Sequence, residues 1–129
     1  MASIFTKIIA GEIPCQKLAE NEKFFSFLDI RPVCRGHALV IPKQEVDKFF
    51  DMDDALLAEI MVFAKPIAAA IESVVPCKRI GVIVAGIEVP HAHVHLIPIN
   101  AIPDLSFANA RPADQADLAE LRKKIVAAL

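Results

Sequence analysis

Four histidines occur in the chain. Three of them, His91, His93 and His95, take alternate positions in the run His91-Ala92-His93-Val94-His95-Leu96-Ile97. In an extended strand, residues i, i+2 and i+4 point to one side. The three imidazoles therefore share a face, while Ala92, Val94 and Leu96 turn to the other and can sit on a core. Three readings suit such a row. The first is a structural row on an exposed sheet face, where apolar residues or threonine would pack better. The second is a metal site with His37 as a further ligand. At a rise of ~3.3 Å per residue the outer two histidines start about 13 Å apart, so all three converge on one ion only if the strand bends. The third is nucleophilic catalysis. A neutral imidazole attacks at neutral pH and forms a covalent intermediate, which on phosphorus is a phosphoramidate that water can open. His93, in the centre, is best placed to attack, and His91 and His95 to hydrogen-bond phosphate oxygens and the leaving group. A backbone carbonyl on the Nδ1–H of His93 would leave its Nε2 lone pair free for the substrate.

The elements that must position this row can be read from pattern. Ser3 caps a short helix over 4–10 that Gly11 stops, with Ile4, Phe5, Ile8 and Ile9 at helical spacing. Strands follow at 16–20 and 23–28, and a third at 37–42 closed by Pro42. Asp51 to Asp54 supply acidic caps for a long helix over 54–75, which Pro66 should kink or split. Residues 79–85 form a fourth strand, Gly86 turns the chain, and 89–97 form the fifth, where Pro90 is tolerated near the start. Residues 98–113 read as a loop with three prolines, and Asp114 or a neighbour starts a last helix to about 128. The class is α+β: an antiparallel five-stranded sheet with a long helix and a C-terminal helix, the helices on one face, in one domain over 1–129.

Bulk properties exclude several functions. The chain is 55% hydrophobic, but its apolar bursts are short and none nears the roughly 18–20 residues that span a bilayer, so no membrane role is expected. The surplus apolar surface suits a large core or a subunit interface. Lys7 and Glu12 interrupt the N-terminal apolar residues, which argues against a signal peptide. Net charge is −2 with scattered Lys and Arg, which argues against nucleic acid as a partner. Cys15, Cys34 and Cys77 are odd in number and form no C-x-x-C pair, as expected of reduced thiols in a cytoplasmic protein.

The run His-φ-His-φ-His-φ-φ from His91 to Ile97 resembles the signature of the histidine-triad (HIT) superfamily. Ser3 to Ile9, Gly11 to Pro14, Phe27 to Pro32 and Gly36 to Lys43 are similar to its Hint-like branch, in order and spacing. The resemblance implies the HIT-like fold, a homodimer joined through its sheets, and cleavage at the α-phosphorus of nucleoside phosphoramidates or dinucleoside polyphosphates. It implies His93 as the nucleophile, His91 and His95 on phosphate and leaving group, and His37 as a supporting fourth histidine. It also implies Asp29 on the ribose hydroxyls, for which a carboxylate is a suitable acceptor. Asp29 alternatively reads as a turn residue. Phe5, Ile8, Phe27 and Ile30 match an apolar wall around the base, and each alternatively reads as core. Gly86, Glu88 and Val89, just ahead of the triad, complete the expected nucleotide-binding set for a purine, AMP-type nucleotide. No cofactor is expected.

Departures from the pattern bear on the leaving group. Where relatives carry Gly-Gln-Ser-Val, this chain has Gly86-Ile87-Glu88-Val89. Glu88 reads either as an acid or as a partner for an imidazolium. The glycine-rich loop is shortened to Ala85-Gly86, and no asparagine stands near Val84. Ser3 and Thr6 occupy the places of a C-x-x-C pair, and hydroxyls are poor zinc ligands, so no metal is expected. The altered phosphate loop leaves a second class open: a nucleotide-binding or interaction module with little catalysis.

Overall fold

The computed structural model describes residues 2–129. Five strands form one antiparallel sheet in the order β1-β2-β3-β5-β4, with β1 Lys17–Glu20, β2 Phe24–Leu28, β3 Ala38–Pro42, β4 Arg79–Ile83 and β5 Val94–Ile99. The helices are α1 Ile4–Ile9, α2 Asp54–Val74 and α3 Gln115–Ala128.

Alternation along the strands divides the interior in two. Phe24 and Leu28 of β2, Ala38 and Val40 of β3, and Val94 and Leu96 of β5 meet α2 and α3 through Ile60, Ile67, Ile71, Leu118, Leu121 and Ile125. Phe25, Phe27, Leu39 and Ile41 face the other way and pack on Phe5 and Ile8 of α1. Helices on one face alone is thus corrected: the two long helices share a face, while α1 covers the opposite one. Ser3 and Asp53 cap α1 and α2 by accepting from the amides of Thr6 and Leu56.

Three expectations about the elements change. Helix α2 runs unsplit through Pro66. Pro66 lies on the exposed side, so the Val62 carbonyl that loses its amide partner lies on a side open to water. Residues 98 and 99 belong to β5, not to a loop. Pro98 pairs with Ile80 of β4 after the β3–β5 register has ended at Ala38 and Leu96, so its missing N–H costs no ladder bond on that side. The fifth strand begins at Val94, not 89. Ahead of it the His91 amide turns back to the Val89 carbonyl at 2.8 Å, and the Ala92 amide donates to the Val46 carbonyl at 2.6 Å. His91 and His93 therefore stand on the segment entering β5, and only His95 lies within the ladder, opposite Leu39.

Candidate active site

The imidazoles keep one side of the sheet despite the shorter strand. The rings of His93 and His95 are 4.9 Å apart, and the ring of Phe5 lies edge-on to His91 at 5.8 Å and to His93 at 5.0 Å. All four histidines are buried, which removes the reading as an exposed row.

Backbone groups set the tautomers. His93 Nδ1 is 2.7 Å from the carbonyl of His91. A carbonyl only accepts, so Nδ1 carries the proton and Nε2 keeps its lone pair. The Val33 amide donates to His37 Nδ1 at 3.1 Å. His37 must then carry its proton on Nε2, which donates to His95 Nδ1 at 2.8 Å. His95 is left with Nε2–H as a free donor. The site thus offers one nucleophilic nitrogen and, on the neighbouring ring, one hydrogen-bond donor.

Burial favours the neutral rings. Desolvation, with His93 nearby, pushes His37 down to about 4. Desolvation, then His37 and His93, pushes His95 down to about 3. His93 is lowered by desolvation, against the carbonyl of His91 and the carboxylates Asp29 and Glu88, which raise it.

His91 differs from its expected place. Its Nε2 donates to the Pro42 carbonyl at 2.8 Å, and its Nδ1 accepts from Ser3 Oγ at 2.8 Å. Both nitrogens are consumed inside the protein, so neither reaches a phosphate. Thr6 Oγ1 and the Ser3 amide in turn donate to Glu45 Oε1 at 2.7 and 2.6 Å. Ser3, Thr6 and Glu45 thus tie the start of α1 to the triad, a link that sequence periodicity does not reveal.

A cavity of about 330 Å³ opens on His93 and His95 and is walled by Phe5, Asp29, Gly86, Glu88 and Val89. Five other expected residues do not line it. Ile8 and Phe27 pack behind Phe5, His37 and His91 sit behind the other histidines, and Ile30 is 57% exposed and outside the cavity wall. Asp29 takes the part of a turn residue and borders the cavity. Its Oδ1 accepts from the Arg31 amide at 2.8 Å in a turn, while its Oδ2 lies 3.6 Å from His37 Nε2. Ile4, Leu39, Ala85, Ile87 and Phe107 also line the cavity and were not expected. Alternation from His37 along β3 could have found Leu39. No local signal points to Phe107, whose ring reaches His95 at 5.0 Å from the far loop.

Among the described residues, Asp29, His37 and His95 offer ligand atoms within 4.8 Å of one another. Two of those atoms, His37 Nε2 and His95 Nδ1, already share a hydrogen bond. A cation there would have to break it, so the donor set does not suit a resident metal.

Residues 10–102 match the HIT domain family. Adenosine 5′-monophosphoramidase hnt1 of Schizosaccharomyces pombe is 43% identical, over 76% of this chain and 74% of the relative. Adenosine 5′-monophosphoramidase HNT1 of Saccharomyces cerevisiae is 39% identical, over 99% of this chain and 83% of the relative. A crystal structure of a Hit-like protein from Bartonella henselae superposes with a TM-score of 0.86 at 32% identity, covering 98% of this chain and 96% of that one.

Proposed function

The chain belongs to the HIT family, and from that premise we propose that it is a nucleotide hydrolase or transferase. It cleaves at the α-phosphorus of nucleoside phosphoramidates or dinucleoside polyphosphates through a nucleotidyl-histidine intermediate. The observation that carries this reading is the 2.7 Å bond from His93 Nδ1 to the His91 carbonyl, which leaves a neutral Nε2 facing a ligand-sized cavity. Two relatives named adenosine 5′-monophosphoramidases support an AMP-type purine nucleotide as substrate.

The mechanism follows from the tautomers. His93 Nε2 attacks phosphorus, and its ring gains positive charge as the N–P bond forms. Asp29 and Glu88 both favour charge on that ring. Of the two readings of Glu88, the partner of an imidazolium is therefore the one adopted. His95 Nε2–H donates to a phosphoryl oxygen. Its other nitrogen accepts from His37, so loss of its only proton would leave an imidazolate, and it acts as a hydrogen-bond donor rather than an acid. His37 is a positioning residue for His95, and His91 is one for His93. Asp29 accepts from the ribose hydroxyls. Phe5 and Val89 contact the base, Ile8 and Phe27 support Phe5, and Gly86 borders the phosphate.

The protein works as one domain and as a cytoplasmic homodimer. The three free cysteines, Cys15, Cys34 and Cys77, support a reducing compartment. The test of the mechanism is intact-mass analysis after mixing with an adenosine phosphoramidate. An AMP adduct should form on the wild type and be missing from His93→Ala. Equal turnover by the two proteins would sink the mechanism.

A further inference from the structure

Helix α1 begins without a group that such a start ordinarily has. Ser3 is its N-cap, and a Glu or Gln three residues later commonly reaches back to the N-cap amide. Thr6 stands in that place, and the first turn of α1 has no acidic residue. Glu45 supplies the acceptor instead, from the segment between β3 and α2. Its Oε1 accepts from the Ser3 amide at 2.6 Å and from Thr6 Oγ1 at 2.7 Å, across 42 and 39 positions of sequence. We propose that Glu45 is a positioning residue for the attack on phosphorus: by completing the cap of α1 it holds Ser3 against His91, and through His91 it aims the ring of His93. The proposal rests on the nucleotidyl-transfer reading above.

Each bond on the way from Glu45 to the reacting nitrogen has one sense. A carboxylate only accepts, so the Thr6 hydroxyl proton points at Glu45 and is spent there. The Ser3 hydroxyl is then the donor to His91 Nδ1 at 2.8 Å, while Thr6 Oγ1 stands 3.5 Å from the same nitrogen. His91 in turn holds His93, its carbonyl 2.7 Å from Nδ1.

Strand pairing cannot take over this task, because His91 and His93 precede the ladder of β5. The segment that leaves β3 fixes them instead. The Pro42 carbonyl takes His91 Nε2, and the Val46 carbonyl takes the Ala92 amide. Glu45 adds α1 to the same segment. A helix of six residues is too short to stand on propensity, and this one carries Phe5, whose ring meets His93 at 5.0 Å. The Ser3 amide, and after it Thr6, hold the Glu45 carboxyl below the ordinary carboxylate range, so it stays ionised and accepting where the rings are neutral. Glu45 is exposed. Its removal leaves the Ser3 amide and the Thr6 hydroxyl to water, and what is lost is their fixed arrangement rather than the core.

The test uses the full chain and adenosine 5′-phosphoramidate. It reads the single-turnover rate of His93 nucleotidylation at saturating substrate, and the nitrogen resonance of His91 Nδ1. Glu45→Ala should slow nucleotidylation about tenfold, the factor that one hydrogen bond is worth, and should move the His91 resonance. Glu45→Gln keeps an oxygen that accepts from both donors and should stay within about twofold of the wild type. Glu45→Ala combined with Thr6→Glu rebuilds the cap from within α1 and should recover most of the rate. A wild-type rate in Glu45→Ala, an equal loss in Glu45→Gln, a slowed Glu45→Ala with the His91 resonance unmoved, or a combined variant as slow as Glu45→Ala overturns the proposal. No adduct on the wild type overturns the nucleotidyl-transfer reading itself. An adduct that forms equally fast on the wild type and Glu45→Ala overturns the positioning role alone.

Discussion

The Val33 amide donates to His37, and that one backbone bond sets two tautomers in series, because His37 Nε2–H must then donate to His95. The chain of donors holds only while both rings stay neutral. Burial secures this, with His37 held at about 4 and His95 at about 3. In the unfolded chain both titrate near the ordinary histidine value of about 6.5. As pH falls below that value the unfolded state takes up protons and the folded state does not. Stability contributed by the neutral rings is therefore full above about pH 6.5 and is lost progressively toward about 4. The loss is up to about 1.4 kcal/mol per pH unit for each histidine. Urea midpoints measured across that window should fall steadily. Level midpoints would show that the rings are not held neutral by the fold. At the same scale, desolvation lowers His93, so the chemical step should hold its rate down to below the ordinary histidine value before acid inactivates it. A single-turnover pH profile that breaks above that value would contradict this.

Helix α1 is short, with six residues, and its position rests on its N-terminus. The Ser3 hydroxyl accepts from the Thr6 amide as a cap and donates to His91 Nδ1. One side chain thus starts the helix that carries Phe5 and holds the ring whose carbonyl orients His93. Ser3→Ala removes a cap and strands a buried imidazole nitrogen, for a combined loss of about 2 kcal/mol in unfolding free energy. It should also lower the rate of His93 nucleotidylation, whereas Lys7→Ala on the exposed side of α1 should change neither. Denaturant titration and single-turnover kinetics read the two effects separately. The capping part of this was legible in the sequence, since Ser3 precedes an apolar helical repeat. The link to His91 was not, because it joins residues 88 positions apart. The start of β5 was misplaced for a similar reason. Alternation continues back to 89, yet β3 ends at Pro42, whose carbonyl takes the His91 ring in place of a strand partner.

At the scale of the molecule, β4 ends the sheet, and Val82 within it and Val84 just beyond remain 47% and 40% exposed. An edge strand with apolar side chains and one unpaired row of backbone groups is a template for another strand. This supports the proposed homodimer, joined through its sheets. Light scattering at micromolar concentration should give twice 14.1 kDa, and Val82→Lys should shift the population to monomer. A monomer mass for the wild type would count against it. Among the described residues no helix is long and apolar enough to cross a membrane.

The sequence by itself determined the shared face of His91, His93 and His95, the five antiparallel strands, a cap at Ser3, acidic caps among Asp51 to Asp54 and at Asp114 or a neighbour, and the family. Each of these rests on short-range periodicity or on a motif read along the chain. Only the tertiary structure decided which nitrogen of each histidine carries the proton, that His91 is spent on Ser3 and Pro42, and that Phe107 closes on His95. The partners involved lie far apart in sequence, 58 positions between His37 and His95, and packing alone brings them within a hydrogen bond of one another. The order of imidazoles along the strand was local. Their protonation, and hence the division into one ring with a free lone pair, one with a free donor and two whose nitrogens are both spent inside the protein, was not.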